Sequence, residues 1–200
     1  MENKKENELS NVFWYIVIGI CLFFIVVVGI GLVVFSNRKP EVVDKKLNGG
    51  NIILNYTDNI TGLSIVDATP TTDSIGMKNS KDGQYFDFSI EVHLENAKTV
   101  EYEVAAIKDA SNSTISDDDI KIYLEKENSG TYTKVFKPAG YVPIERDTEL
   151  GSPEGSMVLA RVKQIKDSTD NYRLRMWISD KSVTKKGNYT VEIVVNGKAK

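Results

Sequence analysis

The 200-residue chain predicts an all-β fold, an antiparallel β-sandwich preceded by one N-terminal transmembrane helix. Three observations carry that expectation. The run from Val12 to Phe35 contains no charged residue. From residue 51 onward, apolar and polar residues alternate with a period of two, which is the pattern of strands with one buried face. No window there longer than two helical turns holds a helical period.

The apolar run comes first in the chain. Its 24 residues would span roughly 36 Å as a helix, more than the ~30 Å hydrocarbon core of a bilayer. Trp14 and Tyr15 stand at its start, where interfacial aromatics belong. A core helix would show a polar face, and this run has none. A cleaved signal peptide has a shorter apolar region and a basic leader. Here residues 1 to 11, MENKKENELSN, carry both signs. A retained anchor is therefore expected, with the lipid bilayer as a partner along Val12 to Phe35; the alternative is cleavage near Ser36.

Orientation is contested by charge. Lys4 and Lys5 precede the run, whereas Arg38, Lys39, Lys45 and Lys46 follow it. The positive-inside tendency would turn the larger part inward, but long domains cross largely regardless of flanking charge. The expectation is a cell-membrane protein with a cytoplasmic N-terminus and an extracytoplasmic C-terminal domain. Residues 36 to 50, with Pro40 and Gly49-Gly50, read as a linker, and residues 51 to 200 as the domain.

Eight strands are expected in that domain: NIILNY, GLSIVDA, YFDFSIEVHL, VEYEVAAI, IKIYLEK, MVLARVKQI, NYRLRMWIS and GNYTVEIVVNG. In the third, Phe86, Phe88, Ile90, Val92 and Leu94 share one face. Leu174, Met176 and Ile178 should join them in the core. Polar turns between short strands suit a sandwich, with an immunoglobulin-like or jelly-roll order left open.

Composition excludes several function classes. The chain holds 25 Lys+Arg against 28 Asp+Glu, a balance without the basic excess of a nucleic-acid binder. The one cysteine, Cys21, lies in the apolar run, so the polar part can build neither a disulfide nor a thiolate metal site. His93 is the sole histidine and alternates outward beside Glu91 and Glu95, so a solvated role is expected. No HExxH, GxSxG or P-loop is present. Ser116 to Asp119 (SDDD) lacks the spacing and glycine of a calcium loop and reads as a turn. No catalytic, metal or cofactor site is expected, and no enzyme. Asn55, Asn59, Asn112 and Asn188 begin glycosylation triplets. The Lys, Asn, Asp and Ile content reads as bacterial, so no glycan is expected there.

Two places invite a functional reading. Arg173, Arg175 and Trp177 alternate with Tyr172, Leu174, Met176 and Ile178, which places them on the wet face of their strand. They form either a patch for an acidic envelope protein or a glycan, or a ladder of ion pairs with Glu192, Glu101 and Glu103. The ladder requires that NYTVEIVV pair with this strand as a hairpin. The second place is the proline- and glycine-rich connection from 137 to 156, where Tyr141, Arg146 and Asp147 are candidate functional residues. The plainer reading is a crossover between sheets.

The segments TDSIGM, YFDFSIEV, GSPEGSMVL, NYRLRMWISD and GNYTVEIVVNGKAK together resemble uncharacterised single-pass surface proteins of low-GC Gram-positive bacteria. More loosely they are similar to the TasA/camelysin-like matrix proteins. The resemblance covers residues 60 to 200 and implies an extracellular sandwich that assembles at the cell surface. Camelysin is described as a peptidase, but no motif here carries that activity over. The function expected is a membrane-anchored, non-enzymatic interaction or structural module of the envelope. The alternatives are a matrix-like subunit released near Ser36 and an envelope enzyme. Partner identity and oligomeric state are not legible.

Overall fold

The computed structural model describes residues 42–56, 61–78, 85–136 and 144–200, with backbone alone for 134–136. All of them belong to the compact unit Pro40–Lys200. The apolar run Val12–Phe35, the positions around Ser36 and the candidate Tyr141 lie outside the described residues. Among those described, no helix is long and apolar enough to cross a membrane.

Alternation does most of the folding work. Among the described residues ten strands form two antiparallel sheets. In chain order they are β1 Val42–Leu47, β2 Gly50–Tyr56, β3 Gly62–Ala68, β4 Tyr85–Leu94, β5 Val100–Lys108, β6 Ile120–Asn128, β7 Thr131–Phe136, β8 Met157–Gln164, β9 Ser168–Ile178 and β10 Gly187–Ala199. The larger sheet runs β1-β2-β4-β9-β6-β7 and the smaller β3-β10-β5-β8. One turn of helix, α1 (Asp73–Gly76), follows β3.

The inward residues of both sheets make one core. Phe86, Phe88, Ile90 and Val92 of β4 meet Leu174, Met176 and Ile178 of β9, and the smaller sheet adds Tyr102, Val104, Tyr189, Val191 and Ile193. Leu94 is partly buried against them. The Phe88 ring stacks between Tyr172 at 5.3 Å and Phe86 at 5.6 Å. The period-two reading therefore holds for the inward residues of β4 and β9.

Three expectations are corrected. Residues 42–47, read as linker, form strand β1, which pairs in register with β2 around a turn at Asn48 and Gly49. Residues 131–136, outside the eight expected strands, form β7. The third concerns β9 and β10, which are not a hairpin. β9 pairs with β4 and β6 in the larger sheet, and β10 pairs with β3 and β5 in the smaller. Residues 179–186 between them cross from one sheet to the other. That connection is longer than the roughly 2–5 residues of hairpin loops, and it lets both apolar faces meet across the core instead of side by side.

Candidate functional site

The outer face of β9 is the first candidate. Arg173, Arg175 and Trp177 do point away from the core, as alternation requires, but the face is covered. Arg173 Nε and Nη2 each donate to a carboxylate oxygen of Asp87 on β4, both at 2.7 Å. Its guanidinium lies over the ring of Tyr85 at 4.7 Å and that of Tyr132 at 4.4 Å. The Asp87 hydrogen bonds hold the Arg173 pKa above its ordinary value. Arg175 is only 7% exposed and pairs with Glu125 on β6. Burial lowers its pKa.

Trp177 is 4% exposed because α1 lies over it. Its Nε1–H donates to Asp73 Oδ1 at 3.2 Å. Gly76 packs on the indole so closely that a methyl group there would run into the ring. Of the wet face expected from the sequence, Trp177 is buried under a helical turn, Arg175 is buried beside Glu125, and Arg173 is half-buried.

A ladder of ion pairs exists, but with different partners from those expected. Asp87 and Glu125 come from the strands that flank β9. Glu192 lies on β10 and is exposed. Glu101 pairs with Lys163 and Lys200. Glu103 pairs with Arg161. These three acids belong to the smaller sheet, so the failed hairpin accounts for the failed pairing.

The second candidate lies on the outer face of the smaller sheet, apart from the first. The segment 137–156 is the connection from β7 to β8 and so does cross between sheets. Its described part folds over Glu103 of β5. The backbone N–H of Asp147 donates to Glu103 Oε1 at 3.0 Å. Arg161 on β8 donates to the same oxygen through Nε at 3.0 Å and Nη2 at 2.5 Å. Arg146 Nη1 donates to the carbonyl oxygen of Ser152 at 2.9 Å, which closes the segment on itself. Asp147 Oδ1 accepts the N–H of Glu149 at 2.9 Å. Arg146 and Asp147 thus shape a strap whose lining is Glu103. That glutamate is 0% exposed, and its Oε2 has no hydrogen-bond partner among the described residues.

Sequence reading missed two polar groups. Glu103 has outward parity and should be wet; the strap and Arg161 cover it. Asp170 has inward parity. Its Oδ2 accepts from Tyr102 Oη at 3.1 Å and from Gln164 Nε2 at 2.8 Å, and its Oδ1 meets Lys126 Nζ at 2.7 Å. An acid in phase with Tyr172 and Leu174 was the available signal.

The remaining polar motifs are engaged locally. His93 Nδ1 lies 3.2 Å from Asp167 Oδ2, and its Nε2 lies 3.7 Å from Glu91. In the SDDD stretch, Asp117 accepts from Lys108 Nζ at 2.6 Å and Tyr189 Oη at 2.9 Å. The Lys108 hydrogen bond lowers the Asp117 pKa. Among the described residues no three metal-ligating side chains gather. No protein-family model, curated protein or solved structure matches the chain.

Proposed function

We propose that the chain is a membrane-anchored cell-surface protein, a β-sandwich that acts as a non-enzymatic structural or interaction module of the cell envelope. In this reading residues 1–11 are cytoplasmic, Val12–Phe35 spans the bilayer and the domain stands outside. The observation that carries it is the 24-residue uncharged run followed so soon by β1 at Val42. The self-bracing of β9 supports a structural role, because Arg173 and Arg175 are neutralised within the fold. An envelope glycan or protein partner would find a polar depression beside that ladder, lined by Asn55, Ser89, Glu127, Tyr132 and Asn171.

One observation favours the matrix-like alternative. β1 is an edge strand, and it exposes Val42 and Val43. Cleavage near Ser36 would leave that edge next to a new N-terminus, free to accept a strand from another copy. Washing membranes at high salt and alkaline pH separates the two readings. An anchored chain stays in the pellet with residues before Ser36 intact. A washed-out chain that begins at Asn37 contradicts the anchor and supports released assembly.

A further inference from the structure

We propose that Lys45 and Asn196 are joined by an intramolecular isopeptide bond, formed with loss of ammonia and assisted by the buried Glu103. The inference stands on the geometry of the two sheets and does not depend on where the protein resides.

Lys45 lies on the first strand and Asn196 on the last. β1 caps one edge of the larger sheet, and Lys45 sits opposite inward-facing Ile52 of β2. Beyond Glu192, β10 no longer has β3 beside it, so its C-terminal half has an open edge. Lys45 reaches across to that edge. Its Nζ donates to Asn196 Oδ1 and lies 3.3 Å from the carbonyl oxygen of Val195. Gly197 makes the approach possible. A Cβ there would stand 2.7 Å from Ile52 Cδ1 and 2.5 Å from the Glu101 carbonyl oxygen. Any larger residue would push β10 away from β2 and take Asn196 from Lys45.

The surroundings suit an amine nucleophile rather than a stored charge. Among the described residues Lys45 has no carboxylate partner; it meets only neutral oxygens. A half-buried ammonium without a counter-charge is disfavoured relative to the free amine. Burial accordingly lowers the Lys45 pKa, toward the free amine that attacks a carbonyl carbon. Asn196 is 8% exposed. Pro153 of the strap lines the same cleft as Lys45 and Asn196, so the strap helps to keep water from the carboxamide.

Glu103 completes the set. It stands directly opposite Asn196 in the β5–β10 register, so the two side chains share one face of the sheet. Arg161 and the Asp147 N–H occupy Oε1 and fix the carboxylate, while Oε2 has no partner among the described residues. A buried acceptor without a donor is costly, and a task explains why it is kept. Here the task is proton transfer. The bond from Nζ to Cγ of Asn196 forms and the Cγ–Nδ2 bond breaks. One Nζ proton passes through Glu103 Oε2 to the departing nitrogen, which leaves as ammonia. Nothing is oxidised or reduced. Holding the amine and amide in contact replaces a slow bimolecular encounter.

The experiment is intact-mass spectrometry of the purified full-length chain after denaturation, followed by proteolytic mapping. The expected wild-type mass is lower than that of the sequence by one ammonia, and digestion yields one branched peptide joining Lys45 to Asn196. The Lys45→Arg and Glu103→Gln variants should recover the full mass. A wild-type chain at full mass overturns the proposal, whatever the variants do. So does an ammonia loss that persists in Lys45→Arg, because that marks a succinimide at Asn196-Gly197. An ammonia loss that persists in Glu103→Gln overturns the role of Glu103.

Discussion

Tyr102, Tyr172 and Tyr189 are all but fully buried, and each phenol is spent on a neighbour. Tyr102 donates to Asp170, Tyr189 donates to Asp117, and the hydroxyls of Tyr102 and Tyr172 lie 3.2 Å apart. Burial raises all three phenol pKa values above their ordinary value. In the unfolded chain they ionise near pH ~10. Above that pH the unfolded chain therefore binds fewer protons than the folded one, and stability falls as pH rises. It is fully present below it. Each tyrosine that stays protonated contributes a slope of about 1.4 kcal/mol per pH unit. Denaturant titrations at increasing pH, with tyrosinate absorbance as the parallel probe, should show stability dropping steeply in the alkaline range while the folded protein still shows protonated phenols. The apolar neighbours of these rings were legible in the sequence, because Phe86, Phe88 and Leu174 repeat with a strict period. Asp170 was less so, since a single acid inside an apolar phase reads as noise until its partners Lys126 and Gln164 are placed beside it.

Individual strands were legible as elements, but their partners were not. β4 and β9 stand where alternation put them, whereas β1 was hidden. Its VVDKKL pattern is that of an edge strand, with charges that protect an unpaired side. The Asn48-Gly49 pair after it carries a hairpin signal, whereas Gly49-Gly50 reads as a break. The outer face of β9 shows the same limit from another side. Parity told that Arg175 and Trp177 point outward, but nothing local to β9 told that α1 would come to lie over them. Because Trp177 is packed under Gly76 and bonded to Asp73, Trp177→Thr should cost about 3–5 kcal/mol, as truncation of a buried aromatic does. Urea unfolding of the variant checks this. A loss within the range of an exposed strand substitution, about 0.2–1 kcal/mol, would return Trp177 to the surface and reopen a binding role for it.

At the scale of the molecule, the first and last strands meet. β1 opens the domain, β10 closes it, and Lys45 on one touches Asn196 on the other. A pull on the N-terminal side would enter the fold at β1. In the reading proposed here the membrane attaches on that side, so the Lys45–Asn196 contact is where load would pass into the core. The strap from β7 to β8 joins the same corner through Pro153, which gives the long connection a task beyond crossing between sheets. None of this was legible in the sequence, because a lysine and an asparagine 151 positions apart carry no local sign of contact. The central claim is that the domain stands outside a cell that holds it by Val12–Phe35. Its most direct test is protease treatment of intact cells, with lysed cells as the reference and the C-terminal domain followed by antibody. The account predicts that protease removes or trims the domain on intact cells while a cytoplasmic marker survives. A domain that is protected on intact cells and digested only after lysis would contradict it, and would mean that the flanking charges Arg38, Lys39, Lys45 and Lys46 set the orientation after all.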